Sequence, residues 1–211
     1  MKLPGAFRSL AASGSAGREL AQLLTEYQAI QNDPEALKAF SPRFRAAFKD
    51  PEQGIRLAKE GLSRIPKLGF GMERMSLLEM AASIPGKAAE ARELASQELT
   101  ENLIPARPSA EAARTEAELN EALSTTHDHN LPQVAAAIVV HLSESPEEAL
   151  RTLSQSIQNQ PEPFVQRQIA QQFLNAHPQS RRALEEELKR RGIEAAKVMP
   201  SAEERPAEQG G

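Results

Sequence analysis

The chain has 211 residues, 40% of them hydrophobic, and a formal net charge of −4, which is enough apolar material for a packed core and excludes a globally basic nucleic-acid binder. It contains no Cys, which excludes disulfides, thiolate zinc sites and a thiol nucleophile. Aromatic residues make up only 4%, with no Trp and one Tyr, so the core has to be built from Leu, Ala, Ile, Val, Met and Phe, a set that suits close-packed helices better than a sheet.

Residues 1–16 lose their apolar character at Pro4, Gly5 and Arg8 and read as a flexible N-terminal segment. No acid precedes Glu19, which leaves organelle targeting or leaderless export open, although a cytoplasmic location is the expectation. From Gly17 to Asn32, Leu20, Leu23, Leu24, Tyr27 and Ile30 follow helical spacing and predict an amphipathic helix. Asp33-Pro34-Glu35 then combines an N-cap, a proline at the first helical position and an acid in the first turn. Leu37, Phe40, Phe44 and Phe48 form the apolar stripe of that helix, which Ser41-Pro42 is expected to kink or restart. Asp50-Pro51-Glu52 repeats the start signal, with Ile55, Ala58, Leu62 and Ile65 facing inward until Pro66.

Met72 to Ile84 is apolar on several sides and is expected to be buried, its methionines serving as core filler. Pro85 is expected to open an Ala- and Glu-rich helix carrying Leu94, Leu99 and Leu103. Ile104–Ser109 reads as a linker, Ala110–Ser124 as a weaker helix and Thr125–Asn130 as a loop. Leu131–Leu142 (LPQVAAAIVVHL) is apolar on nearly every side and predicts the central, most buried element. No apolar run approaches the roughly 18 to 20 residues of a membrane span, so no membrane insertion is expected. Ser145-Pro146-Glu147, Pro163 and His177-Pro178 start three more helices, the last stopped by Gly192, and residues 198–211 read as a disordered tail.

The pattern predicts an all-α fold of about ten antiparallel helices with no strand alternation. PEQGIRLAKEGLSRIP from Pro51 and PEEALRTLSQSIQNQP from Pro146 align without gaps, so 17–103 and 110–193 are possible halves of a helical-repeat domain spanning 17–197. Stacked helix pairs of this kind describe an α-solenoid, similar in a general way to HEAT-type repeats, with a compact multi-helix bundle as the alternative. The Trp, Gly and Tyr positions of a tetratricopeptide motif and the Thr-Pro-Leu-His of an ankyrin repeat are missing.

Chemistry is sparse. His127-Asp128-His129 offers possible metal ligands and superficially looks like the core of the HD phosphohydrolases, but that class needs a further His upstream and none precedes His127. A polar loop whose Asp128 or Asn130 caps the next helix is the simpler reading. His141 reads as a partly buried helix-end residue. Glu185–Glu187 followed by Lys189–Arg191 read as a solvated face with i,i+4 ion pairs. No phosphate loop, nucleophile elbow or segregated carboxylate pair occurs, so neither enzymatic activity nor a cofactor is expected.

Charge is distributed unevenly. Lys38–Arg74 carries nine basic and four acidic residues, whereas Met75–Asn130 carries four basic and ten acidic. Arg43, Arg45, Lys49, Arg56 and Lys59 are the candidate partner-binding residues, with Arg45 and Lys49 expected on one helix and Arg56 and Lys59 on the next. The expected function is a non-enzymatic protein-binding scaffold or adaptor. Nucleic-acid or other polyanion binding through 38–74 is the alternative, and a helical metal-dependent hydrolase built on His127–His129 a second.

Overall fold

The structure is a computed structural model and describes residues 5–30, 32–67, 69–101 and 126–200. Among these residues it is all-helical, with no strand. The helices are α1 (Arg8–Ala11), α2 (Ser15–Ile30), α3 (Pro34–Ala46), α4 (Pro51–Arg64), α5 (Gly71–Ser83), α6 (Ala88–Glu101), α7 (Thr126–Leu142), α8 (Pro146–Asn159), α9 (Pro163–Ala176), α10 (Arg181–Arg190) and α11 (Ala195–Val198), with single 3-10 turns at Gly5–Phe7 and Pro178–Ser180. The expected linker at Ile104–Ser109 and helix at Ala110–Ser124 lie outside the described residues.

The start signals read from the sequence act as caps. The Asp33 carboxylate accepts from the Glu35 and Ala36 N–H groups, both at 3.1 Å, and Asp50 accepts from Gln53 N–H at 2.7 Å. Ser145 accepts from Glu148 N–H at 3.2 Å, while Glu148 reaches back to Glu144 N–H at 2.9 Å. Each arrangement satisfies backbone donors that have no partner within the first helical turn. At the other end of the molecule, Gly192 stops α10 at φ +75°, with its N–H on Lys189 O and the Ile193 N–H on Leu188 O. This left-handed residue with two crossed hydrogen bonds is the Schellman stop that glycine permits.

α7 is the central element, packing on α5, α6, α8 and α9. Leu131, Ala135, Ala136 and Val139 have no exposed surface, as expected for a helix that is apolar on most sides. One continuous apolar cluster joins Phe7 near the start to Val198 near the end. Phe40, Phe44 and Phe48 form a ladder of rings 5.6 and 5.4 Å apart, and Tyr27 joins it at 6.2 Å.

Several expectations need correction. Residues 5–11 are packed: Phe7 and Leu10 are fully buried, and Phe7 meets Phe70 edge-to-face at 5.7 Å. α3 continues through Pro42 as one element, so the helix does not restart there. α6 begins at Ala88, because Gly86 at φ +74° makes Pro85–Lys87 a turn. Thr126–Asn130 is the first turn of α7, with Asp128 and His129 buried. The inner face of α5 is Glu73, Arg74, Leu77, Leu78 and Ala81, while Met72, Met75 and Met80 are only half-buried. Val198 and Pro200 are buried against the domain, so the chain stays packed beyond residue 197; residues 201–211 lie outside the described range.

Candidate functional site

α4 and α6 each pack on α5 but barely on one another. They run in the same direction and are joined at both ends. At the start, the Lys87 ammonium lies 2.5 Å from Glu52 and 3.0 Å from Glu90. Those two carboxylates, Glu52 foremost, hold Lys87 above the usual lysine range, and Lys87 holds Glu90 below the usual carboxylate range. At the far end, Lys67 Nζ donates to Glu101 O at 2.9 Å.

Beneath the groove lies a buried ion pair. Arg74 Nε and Nη2 donate to the two Glu98 oxygens at 2.8 and 2.6 Å, and Nη1 donates to Leu62 O and Ile65 O, both at 2.8 Å. The two side chains are 3% and 5% exposed. One α5 side chain therefore caps the last carbonyls of α4 and fixes α6 against it, a fork geometry that Arg supplies and Lys does not.

Between these bridges the two helices leave an open groove of about 850 Å³. It continues into a depression of about 270 Å³ that shares Lys59, Leu94 and Gln97. Ile55, Ala89 and Leu94 supply its apolar surface. Arg56 and Lys59 rise on the α4 side, and Glu90 and Glu93 on the α6 side. Glu93 accepts from Gln97 Nε2 at 3.0 Å. Asp50 and Glu52 lie at the entrance, so four carboxylates accompany the two cations.

The five sequence-predicted residues are all exposed but are placed differently from one another. Arg43 is paired with Glu26 of α2 through two contacts at 2.6 and 3.0 Å. Arg45 remains on α3, whereas Lys49 falls in the α3–α4 connection because the helix ends at Ala46, so the expected i,i+4 pair on one helix does not form. Lys49 lines a shallow hollow beside Glu19 and Asp50. Only Arg56 and Lys59 share the groove, and neither has an ion-pair partner among the described residues. Of the rest of the basic stretch, Arg64 pairs with Glu60, and Lys67 and Arg74 bridge to α6.

Within the His-Asp-His stretch Asp128 and His129 are enclosed, and the His127 side chain lies outside the described residues. Asp128 Oδ2 accepts from Gly69 N–H at 2.7 Å and fastens α7 to the α4–α5 connection, while His129 is buried with it. No group of three or more His, Asp or Glu side chains is placed to hold a metal ion among the described residues. His141 is exposed, a correction to its expected partial burial: it borders an open surface hollow beside Gln172, Asn175 and His177 at the end of α9. Reasoning on the sequence did not identify Glu93 and Gln97 as groove residues, nor Arg74–Glu98 as a buried pair. The i,i+4 spacing of Glu93 and Gln97 was visible, but their position opposite Arg56 and Lys59 depends on how α6 packs. Comparison with protein-family models, with curated proteins and with solved structures found no match for the chain.

Proposed function

We propose that this is a non-enzymatic helical-repeat protein that binds a segment of another protein in the groove between α4 and α6. The observation that carries the reading is the groove itself, an open channel with apolar surface whose α4 side presents two cations without ion-pair partners among the described residues and whose α6 side presents carboxylates. Protein segments match such mixed chemistry, with apolar contact for affinity and complementary charge for register. A nucleic-acid backbone matches it poorly, since its phosphates would meet Asp50, Glu52, Glu90 and Glu93 beside Arg56 and Lys59.

The contact order supports the solenoid part of the reading. Successive contacts link α2 with α4, α6 with α8 and α8 with α10 in one row, with α4 and α6 meeting only slightly across the groove, and α5, α7, α9 and α11 pack successively in a second row against it. The two sequence-similar segments also behave alike. α4 and α8 each have 14 residues, and each ends in an extended residue, Ile65 or Gln160, followed by proline. Positions 54, 58, 61, 62 and 65 are buried in the first, and 149, 153, 156, 157 and 160 in the second. In each case the fourth residue of the next helix donates back to that extended residue's carbonyl: Arg74 to Ile65 O at 2.8 Å and Gln166 to Gln160 O at 2.7 Å. Stacked repeats of this kind create extended binding surfaces.

Photo-crosslinking in the source cell from Gln97, compared with Lys189 outside the groove, tests the reading. The expected result is one dominant protein adduct at Gln97 that disappears in Arg56→Glu/Lys59→Glu. Equal labelling from both positions, or labelling insensitive to the charge reversal, overturns it.

A further inference from the structure

Resting on the proposed groove, we infer that the segment it receives is an amphipathic helix of about three turns, with acidic residues three or four apart along one edge of its apolar stripe and a basic residue on the other. The length follows from the two bridges. Between Glu52 at the Lys87 end and Ser63 before the Lys67 end, α4 offers eleven residue steps, or about 16 Å at the helical rise.

The conformation follows from the walls. Both are helices whose backbone groups are already paired, so an extended strand lying between them would find no edge to bond with. Over Ile55 and Leu94 its own N–H and C=O groups would find no backbone ladder, only scattered side chains such as Gln53 and Gln97. A helix satisfies its backbone internally and meets the groove with side chains alone.

The charge pattern follows from the rims. Arg56 and Lys59 are three apart on α4, exposed and without ion-pair partners among the described residues, so acids at i and i+3 or i+4 on the incoming helix face both. On the opposite rim Glu90 is tied to Lys87, which leaves Glu93 to face a basic residue. The apolar surface is modest, with Leu94 only 7% exposed, so the stems of Arg56 and Lys59 supply part of the apolar contact and the charges set much of the affinity. Turning the incoming helix end for end exchanges its two edges, so its direction in the groove is dictated by which edge is acidic.

The test uses the full chain and helix-stapled fluorescent peptides with one shared Leu stripe. One peptide has split edges, acidic and basic, and a second has basic residues on both edges. A third carries the split edges with a central proline in place of the staple. Anisotropy titrations are run at low and at physiological salt with wild type and with Arg56→Glu/Lys59→Glu, both surface changes whose folding is checked by circular dichroism. The split helix is expected to bind about tenfold or more tighter than either other peptide. The charge reversal should weaken it by a similar factor while strengthening the all-basic helix, and salt should narrow these charge-dependent differences. Equal binding of the split and all-basic helices overturns the charge assignment, and equal binding of the proline peptide overturns the helical one. If the Gln97 crosslink to the cellular partner is lost on charge reversal but the split helix does not compete for it, this inference fails while the groove reading stands. If Gln97 labels nothing selectively, the groove reading itself fails.

Discussion

Replacing Glu98 with leucine removes the carboxylate that faces Arg74 in a site where the two side chains are 5% and 3% exposed. The guanidinium keeps its two bonds to Leu62 O and Ile65 O but loses both bonds to Glu98. A buried charge deprived of its partner costs about 3–5 kcal/mol, which is a large part of the total stability of a typical domain. Arg74→Met should cost at least as much, since it leaves the Glu98 carboxylate buried without the guanidinium and strips donors from two α4 carbonyls, each worth about 1–3 kcal/mol when buried. The double variant Arg74→Met/Glu98→Leu removes both charges and fills the space with apolar atoms. The two carbonyls are then left in deficit by about 2–6 kcal/mol together, against a gain of up to about 4 kcal/mol from replacing a buried ion pair by apolar atoms, so the double variant should lose much less than the two single variants combined. Urea unfolding followed by far-UV circular dichroism measures all four corners of this cycle. If the double loss equals the sum of the single losses to within about 0.5 kcal/mol, the pair is not coupled and the reasoning fails.

Val139→Asp, at a fully buried position of α7, should abolish cooperative unfolding, because α5, α6, α8 and α9 surround that helix and leave the charge no route to water; a native-like circular dichroism spectrum with a sharp thermal transition would contradict this. Gly17→Ala drives a Cβ into the Leu10 carbonyl oxygen, a backbone atom that cannot step aside cheaply. It should release residues 5–12 at a cost of about 1–3 kcal/mol, read as lost hydrogen-exchange protection in that segment alone. Glu187 is held down to about 2, chiefly by Arg190 and further by Arg191. A folded-state value below the unfolded one stabilises the protein above the usual carboxylate range, and the contribution is lost as pH falls from about 4.5 towards 2. The Tm gap between wild type and Glu187→Gln should therefore close across that window, and a gap independent of pH would refute the assignment.

Local order was legible in the sequence because it is encoded over a few residues. Asp33-Pro34, Asp50-Pro51 and Ser145-Pro146 announce helix starts through bonds made within three residues, and Gly192 announces a stop through a φ that side chains disfavour. The apolar run of Leu131–Leu142 likewise announced a helix that needs neighbours on every side. Amphipathic spacing placed Phe40, Phe44 and Phe48 inside, and the same spacing marked Arg56 and Lys59 as exposed.

Which helix faces which, and with what charge, was decided only by packing. Arg74 counted as one more cation in a basic stretch until α6 brought Glu98 to it from 24 residues away. Asp128 had the composition of a loop residue until Gly69 offered it a backbone donor 59 residues distant. Phe7 and Leu10 sat in a segment rich in Gly, Ser and Ala, and their burial depends on surfaces presented by α4 and by Phe70. The groove is the same kind of object, since its two rims come from helices that share α5 as a neighbour and scarcely touch each other. Capping and periodicity are short-range and survive in a linear text, whereas the pairing of distant charges and the gap between two helices exist only once the chain has folded back on itself.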